Sequence, residues 1–217
     1  MTDNKYYKSW WTVSSTSNKT EGVGIAIKLG LHNHVIKVLS KMGRLILVDL
    51  KFKGKSTLRI IVTYIHSNEQ DAKDRNKLID EIERLIKEAH NKKYNVILLG
   101  DFNADFEKLE SNHKNFKKEK YRILTSIEKL GLYDTQKITN TELEPTWIKN
   151  ENTKWRIDYI WINEYLINNL VKTRVITDDT LYSDHKLLNM TLECGDFMGR
   201  QTTAFEKRKN INVQYIC

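Results

Sequence analysis

The stretch Asn95–Asn103, NVILLGDFN, decides the fold. Val96, Ile97, Leu98 and Leu99 follow one another without a polar break, and the run stops abruptly at Gly100-Asp101. A strand with one wet face would alternate. An all-apolar run this short predicts a central strand covered on both faces by other layers. Upstream, Leu78, Ile79, Ile82, Leu85, Ile86 and Ala89 recur at helical spacing and predict an amphipathic helix over about 70–91. Asn68 is its expected cap, and Asp80–Arg84 and Glu83–Lys87 are expected i,i+4 ion pairs. Further back, Val23–Leu29, Arg44–Phe52 and Leu58–Ile65 read as strands, the last two joined by a turn at Lys53-Gly54-Lys55. Downstream come a helix over about 119–130, stopped by Gly131, and strands over Trp155–Asn163 and His185–Glu193. Strands alternating with helices make this an α/β chain.

The chain has 217 residues, 40% of them hydrophobic, which suits one domain with a substantial core. We place that domain at residues 1–194. Apolar periodicity fades after Cys194, so 195–217, with Arg200, Lys207, Arg208 and Lys209, reads as a basic tail or linker. A single proline and nine glycines exclude Pro-rich or Gly-rich low-complexity structure. Two cysteines without a CxxC exclude a disulfide framework and a zinc ribbon. MTDNKYYKSW at the start has no apolar segment of a signal peptide, and no apolar run is long enough to span a membrane. A nuclear or cytoplasmic, non-secreted protein is expected, with no obligate protein partner evident. The net charge of +8 suits a polyanionic partner, and equally suits plain solubility.

Four polar clusters stand at the ends of these strands: Tyr64-Ile65-His66-Ser67-Asn68, Gly100-Asp101-Phe102-Asn103, Arg156-Ile157-Asp158-Tyr159 and Ser183-Asp184-His185. Strand ends on one side of an α/β sheet are where ligands bind. An aspartate after a strand is usually a turn or cap residue. Asp158 inside a strand pattern is harder to explain that way, because aspartate is disfavoured there. Lys114, Lys117, Lys118, Lys120 and Arg122, interleaved with Phe116 and Tyr121, form a basic cluster that would track a phosphate backbone or simply open a solvated helix. His32 and His34 read as an ordinary turn, and Trp10 and Trp11 as core or edge packing rather than a base-stacking platform.

Taken in order, the four clusters, with Thr146-Trp147 ahead of Arg156–Tyr159, resemble the endonuclease/exonuclease/phosphatase superfamily, which includes exonuclease III and the apurinic endonucleases. The GVGI string from Gly22, the TYI turn, LLGDFNA and RIDYIW are most similar to the endonuclease domain of non-LTR (LINE-type) retrotransposons. The resemblance covers about residues 10–192. It implies a four-layer α/β sandwich of two mixed sheets flanked by helices, and Mg²⁺- (or Mn²⁺-) dependent hydrolysis of phosphodiesters in double-stranded DNA. Carried over by motif, Asp101 orients and deprotonates the attacking water, and Asn103 hydrogen-bonds the phosphate. Asp158 pairs with His185, which stabilises developing negative charge, and Tyr64 donates its hydroxyl to a phosphate oxygen. Asp101 and Asp184 are the implied metal ligands.

Two departures stand out. His66 and Ser67 replace the Pro-Asn that commonly follows the family's tyrosine. The family's opening strands, the second ending in a metal-binding glutamate, find no counterpart before Trp10-Trp11, and Glu21 sits in the wrong place to replace it. The fold is therefore expected to be incomplete at its N-terminus and the activity impaired. The alternatives are another phosphodiester substrate, such as a phosphoinositide, sphingomyelin or an RNA tail, and a catalytically dead remnant that acts as a basic nucleic-acid-binding module.

Overall fold

A computed structural model describes residues 6–12, 22–53, 56–67, 71–111, 121–140, 142–178, 180, 182–195 and 210–215. Two strands, β1 (Tyr7–Trp11) and β2 (Gly24–Lys28), pair as an antiparallel ribbon, followed by one helical turn, α1 (Leu29–His32). The main sheet is built from β3 (Val35–Lys41), β4 (Leu45–Lys51), β5 (Thr57–Tyr64), β6 (Asn95–Asp101) and, later in the chain, β7 (Leu132–Asp134) and β10 (Asp158–Asn163). Its order is β3-β4-β5-β6-β10-β7. Only β5 and β6 run parallel, because the long helix α2 (Ala72–Asn91) carries the chain back between them. Helices α3 (Phe106–Ser111), α4 (Arg122–Lys129) and α5 (Thr135–Thr139) and the hairpin β8 (Trp147–Asn150)–β9 (Thr153–Trp155) lie between β6 and β10. A 3₁₀ turn at Glu164–Asn169 leads to β11 (Leu170–Ile176) and β12 (Leu187–Glu193), which with β13 (Asn210–Tyr215) form a second sheet in the order β11-β12-β13.

Alternation along β4, β5, β6 and β10 sends side chains to two separate cores, as expected for a sheet covered on both sides. On one face Leu45, Leu47, Ile61, Val96, Leu98, Tyr159 and Trp161 meet Leu78, Ile82, Leu85 and Ile86 of α2 and Ile123, Leu124 and Ile127 of α4. On the other, Ile46, Val48, Ile60, Val62, Ile97, Leu99, Ile160 and Ile162 meet Leu188, Met190 and Leu192 of β12 and Val23 and Ile27 near the ribbon. The mixed sheets and flanking helices are those of an α/β sandwich. Arg59 and Asp49, cross-strand partners, form a buried bidentate pair at 2.8 Å, and Arg59 also donates to the Leu85 carbonyl, clamping α2 to the sheet.

Several expectations need correction. Asp71 caps α2 without a side-chain capping bond, its carboxylate lying 3.1 Å from the His66 ring; Asn68 lies outside the described residues. Arg84 pairs with Glu81 and Glu88 rather than Asp80, and Asp80 pairs with Arg122, because α4 packs beside α2 and brings its arginine within reach. Arg122 also bonds Glu83, so its charge faces two carboxylates and not a nucleic-acid backbone. Lys114, Lys117, Lys118 and Lys120 lie outside the described residues. The strand expected from Trp155 to Asn163 is interrupted at Arg156-Ile157, where the chain passes from the hairpin into β10. The region expected as a tail contributes β13, in register with β12 from Leu188↔Tyr215 to Glu193↔Asn210; a neighbouring strand edge supplies the hydrogen bonds that its own apolar content does not advertise. Among the described residues no helix is long and apolar enough to cross a membrane.

Candidate active site

Three strands end side by side. In the parallel register Tyr64 of β5 sits opposite Asp101 of β6, and in the antiparallel register Asp158 of β10 sits opposite Asp101 on the other side. The pleat puts paired residues on one face, so Tyr64, Asp101 and Asp158 form a row at the rim of the core between the sheets. Two carboxylates directly opposite each other destabilise a sheet. Both are buried here. The sheet tolerates the arrangement because a third group answers it. His185 Nδ1 lies 2.9 Å from Asp158 Oδ2, and Asp101, Asp158 and His185 offer ligand atoms within 4.8 Å of one another.

Gly100 fixes where Asp101 emerges. Its φ is +147°, and a Cβ there would collide with the Thr63 carbonyl of β5, so only glycine fits. Two residues on, Asn103 adopts φ +48°, a left-handed conformation that asparagine tolerates. From there its backbone N–H donates to Asp101 Oδ1 (2.8 Å), and its side-chain amide donates to the Ile65 carbonyl (2.8 Å) and Asp101 Oδ2 (3.2 Å). Both amide N–H groups therefore face the protein. Asn103 orients Asp101, where the family pattern gave it a phosphate contact.

Thr146 ties the two halves of the histidine–aspartate pair together. Its buried hydroxyl oxygen accepts the N–H groups of Ile157 (3.1 Å) and Asp158 (3.0 Å), and its carbonyl accepts Lys186 N–H (2.7 Å) just after His185. Trp147 bridges to His185, and Asp184 O accepts Ile148 N–H. The sequence shows Thr146-Trp147 as a motif but not this role, which lies in backbone bonds. Thr146→Val leaves two buried donors unsatisfied, and we expect a loss of about 1–3 kcal/mol in urea unfolding, restored by Thr146→Ser. Equal stability of the valine variant and the wild type would refute the latch.

The other members of RIDY are structural. Arg156 pairs with Asp134 and, through two bonds, with Glu107, and the Tyr159 hydroxyl donates to the Arg156 carbonyl at 2.7 Å, with the Ala104 carbonyl 3.0 Å away. Arg156 N–H reaches Asp105, whose other oxygen caps α3.

The row opens into a cavity of ≈ 600 Å³ lined by Tyr64, Asp101, Asn103, Ser183, Asp184, His185 and the indoles of Trp11, Trp147 and Trp155. Asp184 lies on its wall outside the tight cluster, with Oδ2 accepting the Trp147 indole N–H at 2.6 Å. Ser183 Oγ accepts the His185 N–H at 3.1 Å. Trp10 is half-buried against the inner core and stacked on His32, as packing predicts. Trp11 packs at the ribbon's edge, its six-membered ring against Gly24, and is nevertheless 65% exposed at the cavity mouth.

Burial pushes the Asp101 carboxyl up to about 7, reinforced by the charge of Asp158 and opposed by the Asn103 N–H and His185. Burial alone would lower His185. The hydrogen bond and charge of Asp158, with Asp101 and Asp184, outweigh it and raise the pKa, which favours imidazolium. A hard divalent cation fits this donor set. Carboxylate oxygens suit it, and a buried carboxyl that resists ionisation is what an added positive charge would relieve. Imidazolium is a hydrogen-bond donor and not a ligand.

A search of curated proteins found no match. Among solved structures, the 3′ phosphatase NExo from Neisseria, bound to product DNA hairpin, shares 20% identity with a TM-score of 0.62, covering 83% of this chain and 77% of that one. An AP endonuclease from Archaeoglobus fulgidus shares 19% (TM-score 0.61; 84% and 77% covered). The endonuclease domain of TRAS1, a telomere-specific non-LTR retrotransposon, shares 17% (TM-score 0.56; 82% and 77%). At these identities the likeness is one of fold. Sequence carries the assignment further: residues 58–189, from β5 to the middle of β12 and more than half of the chain, match the endonuclease-reverse transcriptase family, and the chain belongs to that family.

Proposed function

We propose that this chain hydrolyses phosphodiester bonds in DNA as an endonuclease of retroelement type. The observation that carries the reading is the Asp158–His185 pair held 2.9 Å apart beside Asp101 in one open cavity. Asp101, oriented by Asn103, aligns a water and takes its proton. His185, kept protonated by Asp158, donates to an oxygen on which negative charge develops. Tyr64, at the row's other end, donates its hydroxyl to a phosphate oxygen. Asp101 and Asp184 would hold Mg²⁺ (or Mn²⁺), which when bound offsets phosphoryl charge and lowers the pKa of water. The +8 charge and the DNA hairpin in the Neisseria structure support DNA as substrate.

A second reading has an observation behind it. The carboxylates lining the cavity are Asp101 and Asp184, with Asp158 behind them and no glutamate among the described lining residues. Turnover is therefore slow, and at the limit the chain is a DNA-binding remnant. Supercoiled plasmid incubated with Mg²⁺ or Mn²⁺ decides between them. We expect slow nicking that stops with EDTA and with Asp101→Ala. Plasmid binding with no nicking under any divalent cation would leave the remnant.

A further inference from the structure

We infer that Trp11 is a stacking platform for an unpaired nucleobase of a DNA strand held at the Asp101–His185 site, which makes single-stranded or frayed DNA the preferred ligand; this rests on the function proposed above. Trp11 closes β1 directly opposite Gly24 of β2, and its indole lies flat over that glycine, where a Cβ would collide with the six-membered ring. The backbone beneath it is fixed: Thr12 N–H donates to the Val23 carbonyl, Val23 N–H to Thr12 Oγ1, and Thr12 Oγ1 to the Gly43 carbonyl. The indole N–H is directed to Ser9 Oγ at 3.3 Å.

Cross-strand packing on glycine accounts for one face of the ring. The other is open, at 65% exposure, and lines the same cavity as Asp101 and His185. An indole whose polar edge already has a partner, and whose orientation is set from below, offers one thing to a ligand: a flat π-face. Beside a scissile phosphate the flat group on hand is a base. In a paired, stacked duplex both faces of each base are covered by its neighbours, so only an unpaired base can lie on the indole.

The test uses the full chain in EDTA, so that binding is read without turnover. A labelled oligonucleotide is presented single-stranded and as a blunt duplex of the same sequence, to the wild type and to Trp11→Ala, Trp11→Leu and Trp11→Phe. The wild type should bind the single strand more tightly. Alanine and leucine should each weaken single-strand binding about tenfold, within what one base–aromatic stack supplies, leave duplex binding within about twofold, and phenylalanine should keep most of the affinity. Leucine has bulk without a π-face, so it separates stacking from packing. Should the alanine variant unfold, the phenylalanine–leucine comparison decides. Equal losses on both ligands, or none on the single strand, would overturn this inference while cation-dependent nicking of plasmid still stood. Failure to bind either ligand in EDTA would overturn this inference, and the nuclease reading would fall only if plasmid nicking with Mg²⁺ or Mn²⁺ also failed.

Discussion

His185→Ala should lower the rate of plasmid nicking about 10²- to 10⁴-fold at pH 7, the range that one positioned proton donor supplies. The structure gives the reason. His185 reaches the cavity from just ahead of β12, its Nδ1 is taken by Asp158, and three carboxylates raise its pKa against the effect of burial. Activity should then fall as pH rises through the His185 pKa. Asp158→Asn removes the largest support of the protonated form, so the fall should move to lower pH and the maximum should drop. Single-turnover rates from pH 5 to 9 for the three proteins check this. An alanine variant keeping more than a tenth of the wild-type rate, or an asparagine variant with an unmoved profile, would remove His185 from the chemistry.

Without divalent cations the folded chain should lose stability as pH rises from about 4 to about 7. Asp101 keeps its proton across this window when folded and releases it when unfolded, so the folded state binds more protons and stability declines with pH. At about 1.36 kcal/mol per unit, the decline amounts to at most about 4 kcal/mol. His185, also raised, acts in the same direction. Glu88, lowered to about 2 by its Lys92 bond, has the opposite sign, and its contribution is lost only below about pH 4.5. Asp101→Asn should be more stable than the wild type at pH 8 in EDTA, and the gap should close at pH 4. Adding Mg²⁺ should stabilise the wild type at pH 8 and leave the variant unmoved. Urea denaturation at the two pH values measures both. A wild type with flat stability from pH 4 to 8, or a variant weaker than wild type at pH 8, would show that Asp101 is not strained.

What the sequence made legible follows from the strength of local signals. The β6 run and the α2 periodicity are dense enough to read directly, and they set the sheet order around Asp101. β3 (VIKVLSK) and β11 (LVKTRVI) are edge strands with polar residues mixed in, and β7, β8 and β9 are three or four residues long, so none announces itself. β13 (NINVQY) is a strand because β12 offers an edge, which is a tertiary fact. At the site, Tyr64, Asp101, Asp158 and His185 could be gathered from their motifs, and the structure brings them together. The work of Thr146 could not, since its partners are backbone N–H groups. Nor could the exposure of Trp11, since the apolar character that argues for packing serves equally well for stacking.

The close approach at Gly100 bears on how this site can change over generations. With no side chain tolerated where β6 brushes the Thr63 carbonyl, the residue before Asp101 admits no variation, and the aspartate rides on a piece of backbone that mutation cannot retune. Divergence of this chain toward new substrates is thereby channelled away from the reactive row and into the removable walls: the ribbon that carries Trp11, the hairpin between Trp147 and Trp155, and the loop before His185. A library built on those walls would explore specificity with the chemistry held constant, and one that included position 100 would mostly sample unfolded chains.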